Sequence, residues 1–336
     1  MSKIAVLGAG AWGTALAKLL AEKGGSVVVW AHEPDVAESI RLGHENTRYF
    51  PGFQLPTNLT STSSAEEALQ GADMVLLVVP SHVTREVLGQ VGRWLPAGAP
   101  VVSATKGIEN DTLCLMHEVF AEVMGPSELS RYVALSGPSF AKEVALRHPT
   151  VVVIGGRDAA VVERVQLAFF SEGVFRAYGS EDLTGVEMGG ALKNVIAIAA
   201  GAADGLGFGH NTRAALITRG LAEIAKLAAA KGANPLTMAG LAGMGDLVLT
   251  CTGELSRNRT IGLALGRGQR LEDAIRELGH VAEGVKTAES ARDLANKLGV
   301  EAPIVAQTYA VLYEQKAARD AMTELMVRPA RRELDF

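Results

Sequence analysis

Lys3-Ile4-Ala5-Val6-Leu7-Gly8-Ala9-Gly10-Ala11-Trp12-Gly13-Thr14-Ala15-Leu16-Ala17 opens the chain. An apolar run leads straight into glycines spaced G-x-G-x-x-G, and an Ala/Leu-rich helical stretch follows. Glycine turns are common, but one that follows a strand and opens a helix points to dinucleotide binding. In such a turn Gly8 permits the tight bend, Gly10 lets a pyrophosphate approach the backbone, and Gly13 lets helix and strand pack closely. The exposed N–H groups and dipole of the helix N-terminus then hold the anion.

Working outward, the first half alternates strands and helices. Ser26–Trp30, Met74–Val79, Pro100–Ala104, Tyr132–Leu135, Val151–Ile154 and Val174–Tyr178 read as strands. Ala65–Gln70, capped by Ser63 or Ser64, and Thr84–Trp94 read as helices. Strands bracketing helices predict a parallel, doubly wound sheet with right-handed crossovers. The near-continuous apolar strands fit a sheet covered on both faces. Beyond Glu181 only helical patterns remain: Leu183–Ala203, Asn211–Lys231, Arg257–Leu265, Leu271–Leu278, Lys286–Leu298 and Ile304–Glu314. The expectation is an α/β chain: a Rossmann-like domain over residues 1–180 and an all-helical domain over 181–336. The charged tail Arg328–Phe336, with its Arg331-Arg332 pair, reads as a fraying end.

A chain of 336 residues is long enough for two domains, and at 48% apolar residues each can bury a core. The net charge of −5 argues against a general nucleic-acid binder. Cys114 and Cys251 form no C-x-x-C pair and read as reduced thiols of a cytoplasmic protein. The seven histidines show no metal-ligand spacing, so no metal is expected. The first strand starts too early to leave room for a signal peptide. Val195–Ala203, the most apolar helical stretch, is too short to span a bilayer, so no membrane insertion is expected.

An NAD enzyme closes its second strand with an acid that binds the ribose 2′-OH. Here Trp30 and Ala31 stand there, and Glu33 comes late, just before Pro34. His32 is placed either to stack on the adenine or to face a 2′-phosphate. The expected cofactor is therefore NADPH, with NADH as a second. Loops after strand ends, where open α/β sheets bind ligands, carry Lys106 and the Ser136–Ala141 turn. In the helical half, Lys193 sits among small residues, and Gly240–Asp246 reads as a flexible turn ending in a carboxylate. Ser256-Arg257-Asn258-Arg259 opens a helix and suits a phosphate. Each also has a plainer reading: a solvated lysine, a capped helix start, arginines in a wet first turn.

Taken together, G-A-G-A-W-G (8–13), N-T-R-Y-F-P-G (46–52), T-K-G-I-E (105–109), S-G-P-S-F-A-K-E-V (136–144), L-K-N-V (192–195), G-M-G-D-L (243–247), S-R-N-R (256–259) and V-A-E-G-V-K-T (281–287) resemble the bacterial NAD(P)-dependent sn-glycerol-3-phosphate dehydrogenases. The motifs keep family order and span nearly the whole chain. The resemblance implies reversible reduction of dihydroxyacetone phosphate to sn-glycerol 3-phosphate for phospholipid synthesis, by a cytoplasmic homodimer. It implies Lys193 as the catalytic acid/base, with Lys106 and Asp246 in the same polar centre. Gly137 and Ser139 would lie beside substrate, and Ser256, Arg257 and Asn258 would hold it, mainly at its phosphate. Ala11, Trp12, His32, Lys106, Ala141, Val281 and Glu283 would contact cofactor with the glycine turn, and Arg257 would reach it too.

The nearest competing reading is another dehydrogenase of similar build, a β-hydroxyacid dehydrogenase or ketopantoate reductase. The Ser256–Arg259 phosphate candidate and the T-K-G-I-E loop favour the phosphate substrate. A non-catalytic NAD(P) sensor would keep Gly8–Gly13 but need neither Lys193 nor Asp246.

Overall fold

The computed structural model describes residues 2–279, 282–330 and 332–333. The chain divides into two compact units. Met1–Lys106 and Met116–Val186 form the first, and Gly107–Leu115 and Glu187–Phe336 the second.

The first unit runs β1 (Lys3–Leu7), α1 (Ala11–Glu22), β2 (Ser26–Trp30), α2 (Pro34–Gly43), β3 (Leu59–Thr62), α3 (Ala65–Leu69), β4 (Met74–Leu77), α4 (Thr84–Val91), β5 (Val101–Ser103), α5 (Met116–Met124), β6 (Tyr132–Ser136), α6 (Ala141–Ala145), β7 (Thr150–Gly156), α7 (Ala159–Phe169) and β8 (Phe175–Ser180). The eight strands lie in the order β3-β2-β1-β4-β5-β6-β7-β8. The order reverses between β1 and β4, so β1 ends at the switch point where such sheets bind ligands. Val27, Val28 and Val29 show why these segments are strands: β-branched residues packed on both faces of a covered sheet.

The structure departs from the expected pattern in several places, helices α2, α5 and α7 among them. β3, Leu-Thr-Ser-Thr, pairs with β2 although its composition hardly marks a strand. β7 runs antiparallel to β6, with β8 parallel to β7, so the sheet is mixed rather than wholly parallel. The helix expected over Thr84–Trp94 ends at Val91 and tightens into a 3₁₀ turn, Gly92–Trp94. Ser64, not Ser63, caps α3, its hydroxyl accepting the Glu67 N–H.

The second unit contains helices and no strands among the described residues: α8 (Leu183–Gly205), α9 (His210–Ala230), α10 (Asp246–Thr252), α11 (Arg257–Gly266), α12 (Leu271–Leu278), α13 (Glu283–Leu298), α14 (Pro303–Tyr313) and α15 (Ala318–Met326). α8 begins in the first unit and supplies the core of the second. It has 23 residues, well beyond the short apolar stretch Val195–Ala203, and by length and composition it could cross a membrane. Its apolar window is nevertheless wholly buried within the protein. Small residues make that burial possible. A Cβ on Gly262 would lie 2.0 Å from Ile198 O, and one on Gly201 would lie 2.1 Å from Arg259 O. Helices α8 and α11 therefore meet backbone to backbone, a contact that only glycine permits at both crossings.

Candidate functional site

Within the first unit, β1 delivers the glycine turn. Gly8 has φ +116°, and a Cβ there would sit 2.4 Å from Val78 O. A Cβ on Gly13 would sit 2.1 Å from Gly8 O, whereas one on Gly10 meets nothing within 4 Å. Two glycines thus serve packing, and the middle one faces open space at the N-terminus of α1. That terminus has no side-chain cap and no acid in its first turn, so its N–H groups and positive dipole end remain for an anion.

Ala11, Trp12 and Ala141 come together in a small apolar cluster with Ala15, Phe50, Phe53 and Ala145. Trp12 Nε1 is buried with no hydrogen-bond partner. A buried N–H without a partner costs free energy, and an acceptor on a bound cofactor would remove that cost. The open Gly10 position, the uncapped helix and this orphaned donor fit a dinucleotide. His32 is exposed beyond β2, its ring 6.3 Å from Trp30 and edge-on to it. Lys106 follows β5 and is half-buried, and Gly137 follows β6 with φ +129°. Ser139 does not cap α6; its hydroxyl donates to Gly137 O at 2.8 Å.

Within the second unit, α8 brings Lys193 to Asp246 at the start of α10. Lys193 Nζ lies 2.5 Å from Asp246 Oδ1 and 3.0 Å from Thr250 Oγ1. The side chains of the pair are only 8% and 2% exposed, so the ions are almost fully desolvated. The turn read as flexible over Gly240–Asp246 is instead a π-helical turn, Leu241–Gly245, that runs into α10. Thr250, one helical turn after Asp246, shares its face. It joins the pair by donating to Asp246 O at 2.6 Å.

α11 starts as its sequence suggests, with Ser256 Oγ accepting the Arg259 N–H. Arg257 is exposed, and no hydrogen bond or ion pair holds it among the described residues. Asn258 is buried and committed: it donates to Asn194 Oδ1 at 2.9 Å and accepts from Gly284 N at 2.9 Å. It therefore ties the residue after Lys193 to the first turn of α13. Glu283 opens α13, and Val281 lies outside the described residues. Arg259 is ion-paired with Asp204, which also holds Arg213.

Thr250 stands in no sequence motif, and Asn194 and Asn46, though inside L-K-N-V and N-T-R-Y-F-P-G, carry no role in the sequence reading. Asn46 is fully buried and donates to Ala9 O at 2.7 Å and Thr14 Oγ1 at 2.8 Å, which fixes the glycine turn. The signal for Thr250 was its spacing of four from Asp246, legible only once residues 246–252 are known to be helical. Nothing local shows what Asn46 does, because its partners are far away in sequence.

Residues 3–162 match the model for the N-terminus of NAD-dependent glycerol-3-phosphate dehydrogenase, and residues 182–323 match that for its C-terminus. The glycerol-3-phosphate dehydrogenase [NAD(P)+] of Citrifermentans bemidjiense is 55% identical over 97% of both chains. The crystal structure of glycerol-3-phosphate dehydrogenase from Coxiella burnetii superposes with TM-score 0.93 at 38% identity, covering 97% of this chain and 99% of that one. A ketopantoate reductase from Ralstonia eutropha shares the fold alone, with TM-score 0.61 at 17% identity over 95% of this chain and 99% of that one.

Proposed function

The chain belongs to the NAD-dependent glycerol-3-phosphate dehydrogenases, and from that premise we propose that Lys193 passes the proton to and from the substrate oxygen. It is an NAD(P)-dependent oxidoreductase acting on the alcohol of glycerol 3-phosphate. The buried Lys193–Asp246 ion pair carries the proposal. When bound, the reduced nicotinamide supplies a hydride to C2 of dihydroxyacetone phosphate. Negative charge then develops on the C2 oxygen. The Lys193 ammonium stabilises that oxygen and gives it a proton. In the reverse direction the neutral amine takes the proton from the alcohol. Asp246 and Thr250 fix the ammonium in place, so little reorganisation is needed when charge appears.

Ser256, Arg257 and Asn258 form the proposed phosphate end. Ser256 and Asn258 already serve the helix cap and the Asn194–Gly284 link, which leaves Arg257 to grip the phosphate through its guanidinium. We assign Lys106, Gly137 and Ser139 to substrate. Gly8, Gly10, Gly13, Ala11, Trp12, His32, Lys106, Ala141, Arg257, Val281 and Glu283 are assigned to cofactor, NADPH ahead of NADH. The reaction supplies sn-glycerol 3-phosphate to phospholipid synthesis in the cytoplasm. A homodimer, supported by family resemblance, would run in light scattering at twice the 35.2 kDa chain mass.

The decisive experiment follows NADPH oxidation with and without dihydroxyacetone phosphate. Oxidation that requires the phosphate, with little turnover of ketopantoate or hydroxyacids, supports the assignment. Cofactor binding without turnover of any of them would leave a sensor.

A further inference from the structure

After β2 the chain runs Ala31-His32-Glu33-Pro34 into α2. Glu33 lies about 20 residues beyond the glycine turn, three past the end of β2 and so later than the strand-end acid of NAD enzymes, yet near enough for its side chain to compete for the ribose 2′-OH. By backbone it is the N-cap residue of α2, yet its side chain makes no capping bond. Its Oε1 instead accepts a hydrogen bond from Tyr49 Oη at 2.6 Å. The carboxylate and partial burial push the Tyr49 hydroxyl above the ordinary tyrosine value, so it stays protonated and a donor.

Tyr49 is itself anchored to the cofactor turn. Its N–H donates to Asn46 Oδ1 at 3.0 Å, and Asn46 donates to Ala9 O and Thr14 Oγ1. Hydrogen bonds thus hold both ends of Tyr49, its backbone to the glycine turn through Asn46 and its hydroxyl to Glu33. Arg48 completes the group. Its guanidinium carbon is 5.2 Å from the Tyr49 ring centroid, and it forms an exposed ion pair with Asp35 at 3.6 Å.

A carboxylate at this place does two things. It accepts hydrogen bonds from the 2′-OH of NADH, and it repels the 2′-phosphate of NADPH. We propose that Tyr49 is a cofactor-selecting residue: its hydroxyl withholds Glu33 from the ribose, and its ring holds Arg48 as the cation for a 2′-phosphate. The inference rests on the dinucleotide reading of the glycine turn.

The test measures Kd for NADPH and NADH by nucleotide fluorescence, and kcat/KM for each with dihydroxyacetone phosphate. The variants are Tyr49→Phe, Glu33→Gln, their double and Arg48→Ala. Hydrogen bonds to charged groups shift equilibria by about tenfold or more. Tyr49→Phe should therefore lower the NADPH:NADH preference by roughly that factor. The double variant should restore it, because the released carboxylate is gone. Arg48→Ala should weaken NADPH and leave NADH within about twofold. An unchanged preference in Tyr49→Phe overturns the proposal. So does a double variant that keeps the loss of the single, since the hydroxyl would then touch the cofactor directly. Wild-type protein that binds neither nucleotide overturns both the proposal and the reading beneath it. Protein that binds both but leaves dihydroxyacetone phosphate unreduced overturns only the catalytic reading, and the Kd ratios still judge Tyr49.

Discussion

Lys193 and Asp246 meet as an ion pair 2.5 Å apart, with Thr250 Oγ1 taking a second contact to the ammonium at 3.0 Å. Because both side chains are buried, the proposed catalytic role of the pair is tied to stability. Lys193→Ala should lower kcat by about 10²–10⁴-fold through loss of the proton donor. It should also destabilise the fold by about 3–5 kcal/mol, since Asp246 is left as an uncompensated buried charge. NADPH affinity should change little. The Lys193→Ala/Asp246→Ala double variant should melt higher than Lys193→Ala while staying inactive. Calorimetry and steady-state kinetics check both, and a Lys193→Ala protein with more than a tenth of wild-type kcat would refute the assignment.

The three glycines of the first turn make unequal demands. Gly10 has an ordinary φ of −66° and open space around its Cβ position. Gly10→Ala should therefore melt close to wild type yet weaken NADPH binding, because the methyl group occupies the cofactor's approach. Gly13→Ala places its Cβ 2.1 Å from Gly8 O and should cost the fold itself. Thermal melts paired with nucleotide titrations separate the two effects. Equal loss of affinity and stability in Gly10→Ala would mean the turn is not the binding surface.

Arg257 is exposed at the first turn of α11 behind the Ser256 cap. Arg257→Ala should raise KM for dihydroxyacetone phosphate by about 10–150-fold, the worth of a charged hydrogen bond. It should affect dihydroxyacetone, which lacks the phosphate, far less. Parallel losses of kcat/KM on the two substrates would put Arg257 on the cofactor or in the fold.

Glu223 on α9 is 6% exposed, and its carboxylate accepts the N–H groups of Ile304 and Val305 at the start of α14. Burial pushes its pKa up to about 7, outweighing those hydrogen bonds. The folded protein then binds a proton that the unfolded chain releases at its ordinary value of 4.5. This contribution is fully present below the unfolded value and is lost as pH rises through about 7. It amounts to roughly 3 kcal/mol over that window. Glu223→Gln should flatten the stability curve between those limits. Urea midpoints that fall equally with pH in both proteins would exclude Glu223 as the source.

Much of this was legible in the chain. The glycine spacing pointed to the proposed cofactor turn because Gly8 and Gly13 meet backbone where a Cβ would stand, while Gly10 leaves open space for a ligand. The Ser256 cap and the strands at Ser26–Trp30 and Tyr132–Ser136 are equally local, set by cap chemistry and β-branched runs. Leu59–Thr62 was not legible, since its four residues become a strand only by pairing with β2. The antiparallel β7 was likewise hidden, because strand direction depends on the path of the connecting chain and not on composition.

The sequence by itself determined the doubly wound first half, the helical second half, the place of the glycine turn and the residue types of the proposed site. Periodicity, glycine sterics and helix capping act over a few residues, so they can be read along the chain. Tertiary structure decided what those residues do to one another. It brought Lys193 to Asp246 across 53 positions and committed Asn258 to Asn194 across 64. It also tied Tyr49 to Glu33 across 16. Hydrogen bonds and ion pairs of this kind depend on distances of a few tenths of an ångström between distant segments, and only packing sets those.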